Sequence, residues 1–460
     1  MKLFDTICSI STPMGTGGIA VIRVSGENSF EICEKIFKSE FNKKISQMSG
    51  YTIALGNISD CDGNIIDQVL LSKFIKPNSF TGENVIEISC HGGIAVARMI
   101  LKELIKSGAR LAENGEFSKR AFLNGKIDLS QAEAIIDIIN ASDEYNVYSG
   151  ENQLQGKLSQ KINSIREKLI EATANIIAVI DYPEEDIDEL ATHDIINLLN
   201  ESIEKINDLI NTYNTGKIIK EGAKIVIAGK PNVGKSSLLN ALLNENRAIV
   251  TDIAGTTRDT LEETINIDGL KACITDTAGI HHSDDIVESI GIEKAIEKIN
   301  EADLILFIID SSTDISEEDL RIAETIKDKS SFVILNKTDI SSEIDTSEIE
   351  KIMKKAQFIP ISAKELTGIN ELAQQIKNVI LNGEINIKET IYITNERHYE
   401  KLVTSLSFIE KAVTDLKCGV FPDIVSIEIE NAISSLGEIT GLTVSEEIIN
   451  NIFSRFCLGK

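Results

Sequence analysis

The spacing of apolar residues changes character three times along the chain. Residues 1–120 mix short β-rich runs (Gly18–Val24, Val69–Phe74, Val85–Ser89) with a helical stretch from Ile94 to Ser107. Glycine-rich turns at Met14–Gly18 and His91–Gly93 punctuate them, and the pattern predicts an α+β domain. From about Ser130 apolar residues recur every three or four positions, as in Ile195, Leu198, Leu199, Ile203, Ile206, Leu209 and Ile210. That is the stripe of an amphipathic helix, and the NTGK string around Gly216 is expected to end the helical block. From Ala223 the pattern alternates strand and helix through KIVIAG, TINID, ACITD, DLILFIID, SFVILN and QFIPIS. Such alternation predicts an α/β sheet with helices on both faces. After about Gly383 helical spacing returns over Arg397–Leu416, Ile424–Leu436 and Ser445–Phe456. The simplest arrangement inserts the α/β domain into a helical domain whose two halves bury their stripes against each other. The expected division is 1–120, 121–220, 221–382 and 383–460, a multidomain chain of α/β and α parts.

Composition narrows the class. A chain of 460 residues exceeds one hydrophobic core and suggests about three domains. The formal charge of −26 argues against gripping naked nucleic acid unaided. Residues 1–120 hold 14 Lys/Arg and 13 Asp/Glu, so the acidity lies in the rest of the chain, and a polyanion would meet the N-terminal third or a basic partner protein. Seven cysteines with no C-x-x-C pair fit a reducing compartment rather than a disulfide or zinc scaffold. The N-terminus lacks the apolar core of a signal peptide and no run approaches a membrane span, so a cytoplasmic chain is expected.

The chemistry is written in residues 229–364. GKPNVGKS at 229–236 has the spacing of a phosphate-binding loop, followed in order by DIAGTTRD, DTAG, NKTD and SAK. Gly229 and Gly234 let the backbone approach phosphates, Lys235 offers a point charge to the β- and γ-phosphates, and Ser236 a hydroxyl to Mg²⁺. Thr257 is the natural second Mg²⁺ ligand, Asp276 can hold a metal-bound water, and the Gly279 N–H can face the γ-phosphate. Asn336 and Asp339 read the base, because a carboxylate that accepts two guanine N–H bonds is left unpaired against adenine. Ser362, Ala363 and Lys364 close over the ring. The GTP-binding set is completed by Asn232, Val233 and Ser237, by Thr251, Asp252, Ile253, Ala254, Gly255 and Thr256, by Thr277 and Ala278, and by Lys337.

One absence is informative. Ile280 follows DTAG where Ras-type enzymes carry the glutamine that orients water, and no arginine finger can be assigned. Asn232 and the oxygen-rich stretch Thr251–Thr257 could ligate a monovalent cation beside the phosphates, or Asn232 could be a turn residue. A carboxylate downstream such as Glu288 could align the water, although on its own it reads more naturally as a solvated helix-face residue. Arg258 is as readily a packing residue of its loop as a catalytic one.

Taken with DTICSISTPMGTGGIAVIRVSG, NSFTGENVIEISCHGG, GEFSKRAFLNGKIDLSQAEAI and the terminal FCLGK, these strings resemble the MnmE (TrmE) family of tRNA-modification GTPases over the whole chain. The resemblance implies a folate-binding-like N-terminal domain that dimerises, a helical domain, and an inserted Ras-like GTPase domain. It implies potassium as the cation, held by Asn232, Thr251, Ile253 and Thr256 in the place of an arginine finger when two G domains meet. It places the water-orienting glutamate at Glu288, with Lys235 as its catalytic companion. It further implies a 5-formyl- or 5,10-methylene-tetrahydrofolate site at Arg23, Glu87, Lys126 and Lys460, and a possible reactive thiol at Cys457. Two positions depart mildly from the family pattern: Lys230 stands where Arg is common, and Leu458 where Ile is common.

The function so implied is potassium-stimulated GTP hydrolysis by a homodimer. With an FAD-dependent partner of the MnmG (GidA) kind in a heterotetramer, it would install a carboxymethylaminomethyl or aminomethyl group at C5 of the wobble uridine of tRNA. A regulatory or ribosome-assembly GTPase is the first rival, and the lack of a GXXG in a basic context after residue 382 speaks against it. A folate-dependent aminomethyl transferase without an RNA target is the second.

Overall fold

Alternation in the first hundred residues builds a sheet with one buried face. In the computed structural model, which describes residues 5–41, 43–181, 189–245, 262–267, 269–276, 297–341, 343–381 and 390–460, the chain gathers into two compact units. The first comprises Met1–Ile136, Gln153–Leu199 and Ser407–Lys460; the second comprises Asp137–Asn152 and Asn200–Leu406. The N-terminal strands are β1 (Ile7–Ile10), β2 (Ile19–Ser25), β3 (Phe37–Ser39), β4 (Thr52–Ser59), β5 (Ile65–Phe74), β6 (Val85–His91) and β7 (Arg110–Leu111). They pair in the order β3-β4-β5-β6-β2-β1-β7, antiparallel throughout except β1 with β7. Ile22, Val24, Val69, Leu71, Ile86 and Ile88 point to the face covered by α1 (Ser29–Ile36) and α2 (Ile94–Lys106). Leu70, between two buried neighbours, is exposed, as the two-residue period of an antiparallel sheet requires.

Helices then take over: α3 (Glu116–Leu123), α4 (Leu129–Ile139), α5 (Glu144–Leu154), α6 (Lys157–Asp181), α7 (Glu189–Asn211) and α8 (Tyr213–Glu221). The NTGK string does not break the block. It lies inside α8, and the helix stops only at Gly222, whose φ is +96°. Gly216 is a helical glycine because the chain crosses it closely: a Cβ there would sit 2.2 Å from the carbonyl oxygen of Ile393. Tertiary approach, not turn propensity, explains the residue.

The strands β8 (Ala223–Ala228), β9 (Glu262–Ile267), β10 (Leu270–Asp276), β11 (Leu304–Asp310), β12 (Ser331–Asn336) and β13 (Gln357–Pro360) form the order β13-β12-β11-β8-β10-β9. All pairs are parallel but β9 with β10. Along β11 every residue is buried, as expected of a parallel strand covered on both sides. On one face Leu304, Leu306 and Ile308 meet Leu238, Ala241 and Leu242 of α9 (Lys235–Glu245). On the other, Ile305, Phe307 and Ile309 meet Ala323 and Ile326 of α10 (Glu317–Ile326) and Ile349 of α11 (Ser347–Ile352). Helix α12 (Ile369–Ile380) adds Leu372 and Ile376 to the first face. The segment Asp137–Asn152 joins this unit too: Asp143 accepts the Lys271 N–H at 3.3 Å, and Lys377 Nζ lies 5.5 Å from the Tyr145 ring centre.

The chain ends in α13 (Glu396–Lys417), α14 (Pro422–Thr440) and α15 (Glu446–Ser454). Helix α14 packs along α6, with Ile165, Leu169 and Ala172 buried on one and Val425, Ile429 and Leu436 on the other. Phe453 and Phe456 are buried with Leu129 and Ala132 of α4, which ties the end of the chain to the first unit. Among the described residues no helix is long and apolar enough to cross a membrane.

Candidate functional site

Strand order locates the first site. From β8 the chain passes to β9 and β10 on one side, then crosses to β11 on the other, so a crevice opens at the carboxyl end of β8. Ligands of open α/β sheets bind at such a reversal. The loop from Gly229 to Gly234 follows β8 and feeds α9, so the first N–H groups of that helix face the crevice. Lys235, buried, donates to the carbonyls of Gly229 at 2.6 Å and Lys230 at 2.9 Å. Ser236, Ser237 and the side chain of Asn232 are exposed, and Asn232 has φ +65°. These hydroxyl and amide oxygens are hard donors of the kind Mg²⁺ and potassium take.

The NKTD loop is latched to this loop at two successive carbonyls. Asn336, buried at the end of β12, donates from Nδ2 to Val233 O at 2.8 Å and accepts the Ala363 N–H on Oδ1 at 3.0 Å. Lys337 donates to Asn232 O at 3.0 Å and to Asp310 at the end of β11. Burial would push the Asp310 carboxyl up, but Lys337 and Ser312 outweigh it and hold it below the usual value. Gly234 is obligatory: its φ is +102°, and a Cβ would fall 2.3 Å from Asn336 Nδ2. Asp339 is exposed and accepts from Ser362 Oγ at 2.7 Å, which brings NKTD and SAK together, with Lys364 exposed at the rim. Asp276 closes β10 beside Ile227. Thr251, Asp252, Ile253, Ala254, Gly255, Thr256 and Thr257, with Arg258, Thr277, Ala278, Gly279, Ile280 and Glu288, lie outside the described residues. Sequence reasoning missed Asp310, which has no motif of its own and finds Lys337 only across the parallel pair of β11 and β12.

A second candidate lies on the N-terminal sheet. Arg23 on β2 stands opposite Glu87 on β6, with Nε 2.9 Å and its paired nitrogen 2.7 Å from Oε1. Its guanidinium carbon lies 4.8 Å from the Phe80 ring centre and 5.7 Å from that of Phe117. The remaining nitrogen, Nη1, is buried and has no partner among the described residues. An orphaned N–H on a guanidinium that lies over two aromatic rings fits a planar or anionic ligand group. Lys126 is exposed, its stem beside Gly82. The chain terminus reaches the same sheet: Ser11 Oγ donates to Gly459 O at 3.0 Å, and a Cβ on Gly459 would touch Ile10 O at 2.2 Å. Ile10 pairs with Ile22, the residue before Arg23, so Gly459 lies against the strand next to that of Arg23. Phe80 and Phe117 were not singled out from sequence, although both fall inside the quoted strings NSFTG and GEFSK. Cys457 is exposed, whereas burial raises the thiols of Cys8 to about 12 and of Cys33 and Cys90 above their ordinary value.

A phosphate loop latched to an NKTD loop at the switch point of a parallel sheet defines a P-loop GTP-binding protein. Comparisons with known proteins carry this further. Residues 6–126 match the model of the GTP-binding protein TrmE N-terminus, and residues 129–457 that of the MnmE helical domain. The chain is 48% identical to a tRNA modification GTPase MnmE of Acetivibrio thermocellus, covering 99% of both, and 46% identical to that of Clostridioides difficile over the full length of each. It belongs to the MnmE family of tRNA modification GTPases. Among solved structures, Aquifex aeolicus Era bound to GDP·AlF4⁻ is 28% identical over 40% of this chain and 65% of its own, with a TM-score of 0.27. The FeoB G-domain of Methanococcus jannaschii is 28% identical over 34% and 96%, with a TM-score of 0.26.

Proposed function

We propose that this chain is a potassium-stimulated GTPase of the cytoplasm that modifies the wobble uridine of tRNA. It would act as a homodimer with an FAD-dependent partner of the MnmG kind and draw one carbon from a tetrahydrofolate. Full-length similarity to tRNA modification GTPases carries the reading. Two features of one chain support it: the latched nucleotide loops, and the orphaned Arg23 nitrogen facing Phe80 and Phe117. The domains follow as 1–120 for folate and dimerisation, 121–220 and 383–460 for the helical domain, and 221–382 for the nucleotide.

Lys235 holds the β- and γ-phosphates, Ser236 and Thr257 hold Mg²⁺, and Asp339 discriminates guanine from adenine. Glu288 accepts a hydrogen bond from the attacking water, whose oxygen adds to the γ-phosphorus as the bond to the β-phosphate oxygen breaks and a water proton passes to the released phosphate. Asn232, Thr251, Ile253 and Thr256 would seat potassium, which would supply there the positive charge given elsewhere by an arginine finger. Arg23, Glu87, Lys126 and Lys460 hold the folate, with Cys457 a candidate thiol near it. Pairing is supported by the part of the N-terminal sheet where Ile19, Ile53 and Leu70 are exposed, on the same face as Arg23 and Glu87.

Mass spectrometry of tRNA nucleosides from a deletion strain tests the central claim: the C5-modified wobble uridine is expected to vanish. An unchanged nucleoside profile with altered ribosomal particles would favour the ribosome-assembly rival. On the purified protein, KCl is expected to raise GTP turnover strongly and NaCl hardly at all; equal rates in the two salts would remove potassium from the mechanism.

A further inference from the structure

Lys230 is a charged phosphate-loop residue whose side chain has no task in the reading above. Its ammonium donates to Asp319 Oδ2 at 2.7 Å and to Ser316 Oγ at 3.3 Å. Asp319 is the third residue of α10 and its side chain is 0% exposed. The same Oδ2 accepts the Ser316 N–H at 2.9 Å and the Ser316 Oγ–H at 2.7 Å, while Oδ1 is buried without a partner among the described residues. Among the described residues Lys230 is the one cation in ion-pair range of this buried carboxylate, and breaking such a pair leaves a buried charge uncompensated. Capping a helix needs no such burial, since a solvated Asp at the same position completes the box equally well.

The other end of Lys230 touches the catalytic lysine. Its carbonyl oxygen accepts from Lys235 Nζ at 2.9 Å, next to the 2.6 Å bond to Gly229 O. One residue therefore carries the seat of the Lys235 ammonium on its backbone and an anchor into α10 on its side chain. We propose that Asp319 is a positioning residue for GTP turnover: through Lys230 it fixes the loop carbonyl on which the Lys235 ammonium rests. The inference relies on the reading of Lys235 as the lysine that faces the β- and γ-phosphates.

That reliance gives the test its signature. A misplaced Lys235 weakens contacts to the γ-phosphate most, so GTP must suffer more than GDP. Fluorescent GDP and a non-hydrolysable GTP analogue are titrated against the full chain and its Asp319→Asn, Lys230→Gln and Lys230→Arg variants, with thermal melting alongside. The first two are expected to weaken the GTP analogue about tenfold and GDP by no more than about threefold. Lys230→Arg is expected to stay within about twofold of the native chain, since a guanidinium meets the same carboxylate. Should Asp319→Asn fail to fold, Lys230→Gln, altered at a partly exposed side chain, decides alone. Unchanged affinity for the GTP analogue, or equal losses for both nucleotides with a lowered melting temperature, overturns the proposal and leaves a plain staple between loop and helix. A native chain that binds GDP but not the GTP analogue would instead sink the reading of Lys235 itself.

Discussion

Glu116 keeps a negative charge with almost no water around it. Arg110 reaches its two oxygens at 2.6 and 3.1 Å, and Arg120 adds a bond at 2.9 Å before continuing to Asp5 at 2.7 Å and Glu83 at 3.2 Å. Burial alone would raise the Glu116 carboxyl, but Arg110 and the Glu113 N–H and Arg120 outweigh it and hold it below its ordinary value. The Asp5 carboxyl is held down chiefly by its hydrogen bond to Arg110. For carboxyls depressed in the folded state, the stabilisation is complete above the unfolded value of about 4 and is lost as pH falls through the folded one. Glu116→Gln is therefore expected to cost about 3 kcal/mol near neutral pH and to flatten the loss of stability below about pH 4. Urea melts of both proteins across that range check it; parallel pH curves would show that the carboxylate is not what acid disrupts. Only the Glu116–Arg120 pair, four residues apart on α3, is local in sequence; Asp5, Glu83 and Arg110 join it only after the sheet has formed.

At the scale of elements, Gly216 separates propensity from packing. Ala is a better helix former than Gly by about 1 kcal/mol, so Gly216→Ala ought to stabilise α8 if the helix stood alone. A Cβ placed 2.2 Å from Ile393 O forces a backbone shift, and overpacking of that kind costs about 1–3 kcal/mol. The variant is expected to be less stable than the native chain by about 2 kcal/mol, measured by chemical denaturation; a gain in stability would show that the crossing is not tight. The same contrast explains why the NTGK string misled. A glycine chosen for close approach looks in sequence like a glycine chosen for a turn. The strands of the α/β region and the helices α13 to α15, by contrast, match their apolar periods, since burial on two faces or one stripe is what those periods encode.

At the scale of the molecule, the end of the chain folds back onto its beginning. Phe453 and Phe456 are buried against α4, a Cβ on Gly115 would meet Phe453 O at 2.4 Å, and Gly459 lies against Ile10. On the proposed folate reading, removal of residues 456–460 is expected to abolish tetrahydrofolate binding while GDP affinity stays within about twofold, because the tail belongs to the unit that lacks the phosphate loop. Isothermal titration with 5-formyl-tetrahydrofolate and with GDP separates the two effects. Loss of both would mean that the truncated chain no longer folds as two units, and retained folate binding would remove Lys460 from that site.

Sequence by itself determined the nucleotide chemistry. Phosphate loops and base-reading loops draw their groups from a few adjacent residues, so GKPNVGKS and NKTD carry their geometry with them, and the strand and helix periods state which faces are apolar. The tertiary structure alone decided which distant residues complete those loops, Asp310 beneath Lys337 and Asp319 behind Lys230, and which rings lie beside Arg23 on the other sheet, Phe80 and Phe117. A charge or an aromatic ring has no local signature of its partner. Its role exists only once the sheet and helices bring segments far apart in the chain into hydrogen-bond range and out of water, where an unpaired polar group is costly.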